Sequence, residues 1–391
     1  MKKIKIFLIA GEVSGDKLGS ELMISLKKQA TAHEIKLEFH GIGGRRMIAE
    51  GLKLTSPMEG IGLIGFFEIV PHIFKLLSTI KSTAKIIDEL KPNLVITIDS
   101  WDFCSRVVAR IKSRDYMKLV HYVSPTVWAY RKNRIAQVEK LYDLVLSIFP
   151  FEPEFYVGRK VQCKFVGHPL VEGISPSIIR DDDSDRKTLG VMAGSRIGEI
   201  KKLLPTFIEA IHKFLSYAEN KDKFLVVFPA VNYAISKEIK SFQPLMQFES
   251  LVLDTSKLEE QDIVSMLKQF DLALVKSGTS SLELTLAKVP MVVAYKVNYF
   301  SELIARHIFQ LHKNIKYVSM TNILLDEQVI EEFLQENCNA SAISNGLLQL
   351  LDPNYRKKQL LKYSKVARIL ANKKNKKPSD IAAKNVLKLI T

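Results

Sequence analysis

The chain has 391 residues, enough for two domains, and its 47% hydrophobic and 25% charged residues are those of a folded globular protein. Disordered, collagenous and disulfide-stapled classes are excluded: the three cysteines, Cys104, Cys163 and Cys338, lie far apart, without a CxxC pair for zinc or redox work. The 57 basic and 42 acidic residues leave a net +15, and +11 of it falls between Arg356 and Lys388, where twelve basic residues meet one acid, Asp380. Such an end fits an acidic partner (nucleic acid, an anionic membrane surface or a phosphorylated substrate) or the solvated face of a Lys-rich helix.

Along the chain, IKIFLIA (4–10) reads as a buried strand, followed by GEVSGDKLGS and a helix from near Asp16 to about Lys28. KLEFHGIGG (36–44) is a second strand with a Gly-rich turn, and LVITID (94–99), KLVHYVS (118–124) and LVLSIFP (144–150) are further strands. The first apolar run stops at Gly11-Glu12, short of a secretory h-region, and no stretch approaches the roughly 20 apolar residues of a membrane span. The expectation is a cytoplasmic protein, at most resting on a membrane.

Strands separated by helical stretches imply a parallel, doubly wound sheet. The pattern breaks at SPSIIRDDDSDRK (175–187), read as an interdomain linker. It restarts with TLGVMAG (188–194), KFLVVFPA (223–230), SLVLD (250–254), LALVK (272–276) and MVVAYK (291–296). The expected fold is α/β, two doubly wound parallel-sheet domains facing a central cleft, where such folds bind ligands.

The glycines after the first strand, Gly11, Gly15 and Gly19, do not make the dinucleotide fingerprint, and no P-loop occurs. Two loops of the second half have the form of phosphate sites: Gly194-Ser195-Arg196 and Ser277-Gly278-Thr279, each between a strand and a helix. Unpaired N–H groups, a positive dipole end and the Arg196 fork would hold a diphosphate; ordinary capping is the alternative for either loop alone. Glu283, one turn into the second helix, either answers its dipole or accepts bonds from ribose hydroxyls. In the first half Asp99 and Asp102 end a strand; Asp102 is assigned the helix cap, which leaves Asp99 as the candidate general base. Trp128, Tyr130 and Arg131 line a sugar-phosphate pocket or pack a loop, and His168 is read as a hinge or ligand contact. The apolar stretch 58–85, with Ile64, Phe66, Phe67 and Phe74, is a core helix or an amphipathic patch for lipid.

These loops together resemble the lipid-A-disaccharide synthases, a family of inverting nucleotide-sugar glycosyltransferases. The resemblance runs through AGEVSGDKLG (10–19), GIGG (41–44), MEGIGLIGFFEIVP (58–71), IDSWDF (98–103), YVSPTVWAYR (122–131), FPFE (149–152), VGHPL (166–170), AGSRIGEI (193–200), SGTSSLE (277–283) and PMVVAYK (290–296). It implies a B-type glycosyltransferase fold: an acceptor and lipid domain at 1–170, a UDP-sugar domain at 187–355, and a last helix, about 356–391, packing back on the first. The implied reaction moves 2,3-diacylglucosamine from UDP-2,3-diacylglucosamine to the 6-hydroxyl of 2,3-diacylglucosamine 1-phosphate, with inversion.

By the same resemblance Asp99 is the catalytic acid of the family's motif, and Arg196, Glu283 and Asn322 fall on its substrate-binding positions; Ser14, Arg131, Gly194, Ser195, Ser277, Gly278 and Thr279 complete the expected substrate and UDP site. Ser100-Trp101, Ala193 and Thr321 stand where the family has other residues, so the resemblance is that of a divergent member. No metal or other cofactor is expected, since the only Asp cluster, Asp181 to Asp183, lies in the linker. Expected partners are the two lipid substrates and the cytoplasmic face of the inner membrane; nucleic acid is not among them, and a second copy of the chain is allowed. A UDP-N-acetylglucosamine 2-epimerase-like enzyme, sharing the two-sheet design, is the alternative.

Overall fold

The computed structural model describes residues 2–32, 34–58, 73–127, 134–173, 186–217, 224–296, 316–372 and 376–390. They form two compact units, one of residues 1–169 and 370–391, the other of residues 170–369.

The first unit carries a parallel sheet of seven strands, β1 (Lys2–Ala10), β2 (Ile35–Ile42), β3 (Lys53–Leu54), β4 (Leu94–Ile98), β5 (Lys118–Tyr122), β6 (Leu144–Ser147) and β7 (Gln162–Phe165), in the order β3-β2-β1-β4-β5-β6-β7. Its helices are α1 (Val13–Thr31), α2 (Arg45–Ala49), α3 (Ile73–Leu90), α4 (Trp101–Val108) and α5 (Arg134–Leu141). Because side chains alternate across a strand, β1 feeds two cores. Ile4, Ile6 and Leu8 pack with Leu22 and Leu26 of α1, while Phe7 and Ile9 pack on the other face with Val95 and Val107. A sheet buried on both faces needs unbroken apolar runs, which is why these strands do not alternate in sequence.

Gly15 and Gly19 lie inside α1, where each costs about 1 kcal/mol of helix propensity. Close packing accounts for them: a Cβ on Gly19 would stand 2.5 Å from Met47 Sδ and 3.1 Å from Ile98 Cδ1. Between them, Asp16 is buried and its carboxylate accepts from the backbone N–H groups of Gly44 (2.8 Å), Arg46 (3.0 Å) and Met47 (3.0 Å), pinning the start of α2.

The second unit has a six-stranded parallel sheet, β8 (Lys187–Met192), β9 (Phe224–Ala230), β10 (Ser250–Asp254), β11 (Leu272–Lys276), β12 (Met291–Tyr295) and β13 (Glu332–Leu334), in the order β10-β9-β8-β11-β12-β13. Its helices are α6 (Leu170–Gly173), α7 (Ile197–Tyr217), α8 (Tyr233–Lys240), α9 (Glu260–Leu267), α10 (Thr279–Leu286), α11 (Met320–Leu325), α12 (Ala340–Gln349) and α13 (Pro353–Leu370). One face is covered by α7 and α12 through Phe207, Phe214, Ile343 and Leu347; the other gathers Val275, Val293, Leu284 and Tyr363.

The chain re-enters the first unit at Leu370, and α14 (Pro378–Leu387) sets Ala382, Ala383 and Val386 into the core beside α1. Residues 356–369, expected with that returning helix, belong to the second unit. Of the expected linker, 175–187, residues 175–185 lie outside the described residues, and Lys187 already belongs to β8.

Candidate active site

In each sheet the strand order reverses once, between β1 and β4 in the first unit and between β8 and β11 in the second. Loops leaving the carboxyl ends of such a strand pair diverge to opposite faces and open a ligand crevice. The sequence-derived candidates stand at these two points: Ser14 after β1 and Asp99 after β4, then Gly194-Ser195-Arg196 after β8 and Ser277-Gly278-Thr279 after β11.

At the first point the backbone is strained. Asp99 (φ 52°) and Ser100 (φ 37°) are both left-handed, a conformation costing a residue with Cβ roughly 1 kcal/mol or more. The Asp99 N–H still donates to Tyr122 O (2.9 Å), so the ladder runs one residue past β4 before the chain turns. Burial raises the half-buried Asp99 carboxyl above the ordinary range, only partly opposed by the Ser100 N–H. A raised carboxyl is a better proton acceptor near neutral pH than an ordinary aspartate.

Asp102 does not cap the helix as expected. The double left-handed turn starts α4 at Trp101 with Ser100 at the cap, and the Asp102 side chain is 75% exposed, 3.7 Å from Arg134. Behind Asp99 lies a buried polar group that motif reading missed. Thr97 Oγ1 lies 2.7 Å from His121 Nδ1 and donates to Tyr142 Oη (3.0 Å), and the Trp101 ring stands edge-on to His121 at 5.3 Å. Trp101, one of the departures from the family pattern, thus fills the space against the imidazole. Burial holds His121 down to about 3, so it is neutral in the folded unit.

Ser14 is exposed at the start of α1. His168 is buried, its ring 5.2 Å from Phe149 and its backbone N–H donating to Leu370 O (3.1 Å), which places it in the framework where the chain returns. Arg131, with Trp128 and Tyr130, and the patch residues Ile64, Phe66 and Phe67 lie outside the described residues. Phe74, on the first turn of α3, is 84% exposed.

At the second point the loop after β8 turns through Gly194 (φ 133°), where a Cβ would fall 2.6 Å from Glu199 Oε2. Ser195 and Arg196 are exposed at the mouth of α7. Glu199, unremarked in the sequence, organises them: Oε2 accepts from the Ser195 N–H (3.1 Å), and Oε1 accepts from Arg196 Nη1 (3.4 Å) and Lys276 Nζ (2.9 Å). Burial raises the Glu199 carboxyl, but the bond and charge of Lys276, with the Ser195 N–H and Arg196, outweigh it and leave the group below its ordinary value.

Ser277 Oγ donates to Val318 O (3.1 Å), tying the second loop to the segment before α11, while Gly278 and Thr279 are exposed. Glu283 is half-buried on α10. Asn322, expected to touch nucleotide, is fully buried and its carboxamide is spent on the framework. Its Nδ2 donates to Ile330 O and Glu332 Oε1, and its Oδ1 accepts from the N–H groups of Val329 and Ile330. Thr321, another departure, pairs its hydroxyl with Thr285 at 2.6 Å, and the segment is helical. Ala193, the third, is buried. Among the described residues no group of three or more His, Cys, Asp or Glu converges as for a metal, and no helix is long and apolar enough to cross a membrane.

Two doubly wound sheets, each with its loops at the switch point, are the plan of B-type glycosyltransferases. Solved structures of that plan align with the whole chain. The glycotransferase of kitacinnamycin does so with a TM-score of 0.61 at 11% identity, covering 100% of both chains. UDP-GlcNAc 2-epimerase from Neisseria meningitidis bound to UDP-GlcNAc gives 0.59 at 12% identity, covering 100% of this chain and 99% of its own. At such identity the likeness is one of fold.

Sequence narrows the class. The family described as lipid-A-disaccharide synthetase matches residues 6–386. The lipid-A-disaccharide synthase of Rickettsia bellii (strain OSU 85-389) is 39% identical over 389 residues, 97% of each chain. The chain belongs to the lipid-A-disaccharide synthase family and is a glycosyltransferase, transferring a hexosyl group.

Proposed function

We propose that the hexosyl group is 2,3-diacylglucosamine, carried as its UDP ester, and that the acceptor is the 6-hydroxyl of 2,3-diacylglucosamine 1-phosphate, joined with inversion to give the lipid A disaccharide. The observation that carries this reading is the family match along residues 6–386.

In the mechanism we propose, Asp99 accepts the proton of the acceptor hydroxyl as that oxygen attacks the anomeric carbon. The C–O bond to the diphosphate breaks in the same step, and UDP departs with its electron pair. The strained turn supports this role, since a carboxylate whose desolvation keeps it basic gains more on protonation than a solvated one. Charge growing on the leaving diphosphate is met by the Arg196 fork and by the N–H groups around Ser195 and around Ser277 to Thr279, with no metal in the reading. Glu283 accepts from ribose hydroxyls, and Ser14 and Arg131 serve the acceptor side.

A peripheral place at the cytoplasmic face of the inner membrane belongs to the same proposal. The exposed ring of Phe74 and the cationic residues of α13 support it, since each basic residue near an anionic surface contributes about 1 kcal/mol. The deciding experiment incubates purified protein with both lipid substrates and follows disaccharide and UDP by mass spectrometry, beside Asp99→Ala. Disaccharide from the native chain alone supports reaction and base together. Disaccharide from both removes Asp99 from its role, and none from either removes the substrates.

A further inference from the structure

The cation that bonds Glu199 beside the proposed nucleotide loops has no part in the proposed reaction. Lys276 closes β11 directly before Ser277, and β11 lies between β8 and β12 in the sheet. All three strands run parallel, so their carboxyl ends bring Lys276, the Gly194-Ser195-Arg196 loop and Tyr295 to one edge. The Lys276 ammonium bonds Glu199 at 2.9 Å and stands 5.2 Å from the centroid of the Tyr295 ring, with its side chain only 18% exposed.

Stability alone does not account for such a pair. Replacing a poorly solvated ion pair by apolar residues of similar size is often neutral or stabilising. What distinguishes the cluster is the set of groups converging on the Glu199 carboxylate: a backbone N–H from Ser195, a guanidinium from Arg196 and an ammonium from Lys276. A phosphate oxygen is bound by that same set. Gly194 keeps the space open, since any Cβ there would meet the carboxylate oxygen at 2.6 Å. Two cations against one carboxylate leave a net +1 at this edge, ready for a further anion.

We propose that Lys276 is a second cationic ligand of the donor diphosphate, beside Arg196, and that Glu199 positions both until nucleotide arrives; this rests on the second unit being the UDP site. Lys276 then grips the nucleotide in the ground state and meets the charge that grows on the leaving group.

The test is calorimetric titration of the full chain, and of Lys276→Met, Lys276→Arg and Arg196→Ala, with UDP and separately with uridine. UDP binding to Lys276→Met is expected to weaken about 10- to 100-fold, the range for a lost charged hydrogen bond, with uridine unchanged and Lys276→Arg recovering most of the loss. Should the Met variant fail to fold, Lys276→Gln removes the charge and keeps a donor for Glu199. UDP affinity within twofold of the native value overturns the proposal, as does equal weakening of UDP and uridine. Native protein that binds no UDP removes the nucleotide site itself. Weakening in Arg196→Ala but not in Lys276→Met removes Lys276 alone.

Discussion

The two units share one sheet design yet prepare their switch points in opposite ways. In the first, a single carboxylate is forced into a left-handed, poorly solvated turn above a neutral, buried Thr97–His121–Tyr142 group. In the second, a backbone N–H and two cations converge on a half-buried carboxylate that they hold below its ordinary value. Withholding water and partners raises a carboxyl, whereas supplying donors lowers it, and in the proposed reaction the first suits a proton acceptor and the second an anion site. The same scaffold serves both, because the strand ends fix position and the loop residues fix electrostatics.

That contrast breaks most sharply on Asp99. Asp99→Asn is expected to lower turnover by about 10²–10⁴-fold while leaving UDP affinity within twofold, because the proposed base and the proposed nucleotide groups belong to different units. The same change relieves a buried charge. A carboxyl raised by burial costs stability above its folded value, so the variant should melt higher than the native chain at pH 7 and no higher at pH 3, read by calorimetry.

Acid separates the units next. His121 and His168, both in the first unit, are held by burial at about 3 and about 4, against an ordinary 6.5. Protonation therefore favours the unfolded chain: their stabilising effect is complete above pH 6.5 and drains as pH falls, by about 1.4 kcal/mol per pH unit for each imidazole. Glu199, lowered from 4.5, gives the second unit stability that persists until pH falls below that value. Hydrogen exchange followed by mass spectrometry should show peptides from β5 losing protection at higher pH than peptides from β8. Simultaneous loss would mean that the units unfold as one.

A smaller effect is expected at Arg196. Arg196→Ala should raise the apparent Kd for UDP about tenfold, less than a buried charged contact, because the side chain is 52% exposed. Smallest is Thr321→Val, which removes the hydroxyl pair with Thr285 and should cost the second unit about 1 kcal/mol in denaturant unfolding, with turnover unchanged.

Long apolar strands were legible because a parallel sheet buried on both faces leaves a continuous run in the sequence. The edge strands β3, β7 and β13 were not, since each is two to four residues long and partly exposed, leaving no such run. Asp99 was legible as a strand-ending acid, but the choice of Asp102 as cap was wrong because propensity cannot foresee two successive left-handed residues. The sequence assigns Glu199 no role, and Lys276 only ends a strand run. Their pairing depends on β8 and β11 lying side by side, which no spacing within either segment reveals. Asn322 shows the reverse: its motif drew attention, and the fold spends its amide on Ile330 and Glu332.

The return of α14 has a consequence for the order in which the protein is completed. The second unit is, in topological terms, an insertion of residues 170–369 within the first, and the first unit's core beside α1 is closed by α14. On a ribosome the second unit can therefore finish folding while the first still waits for its last helix, although the first was begun earlier. Damage near the carboxyl end would accordingly be felt at the opposite end of the sequence, where Gln29 bonds Asp380 and Lys2 bonds Ile390, rather than in the loops after β8 and β11 that precede it along the chain.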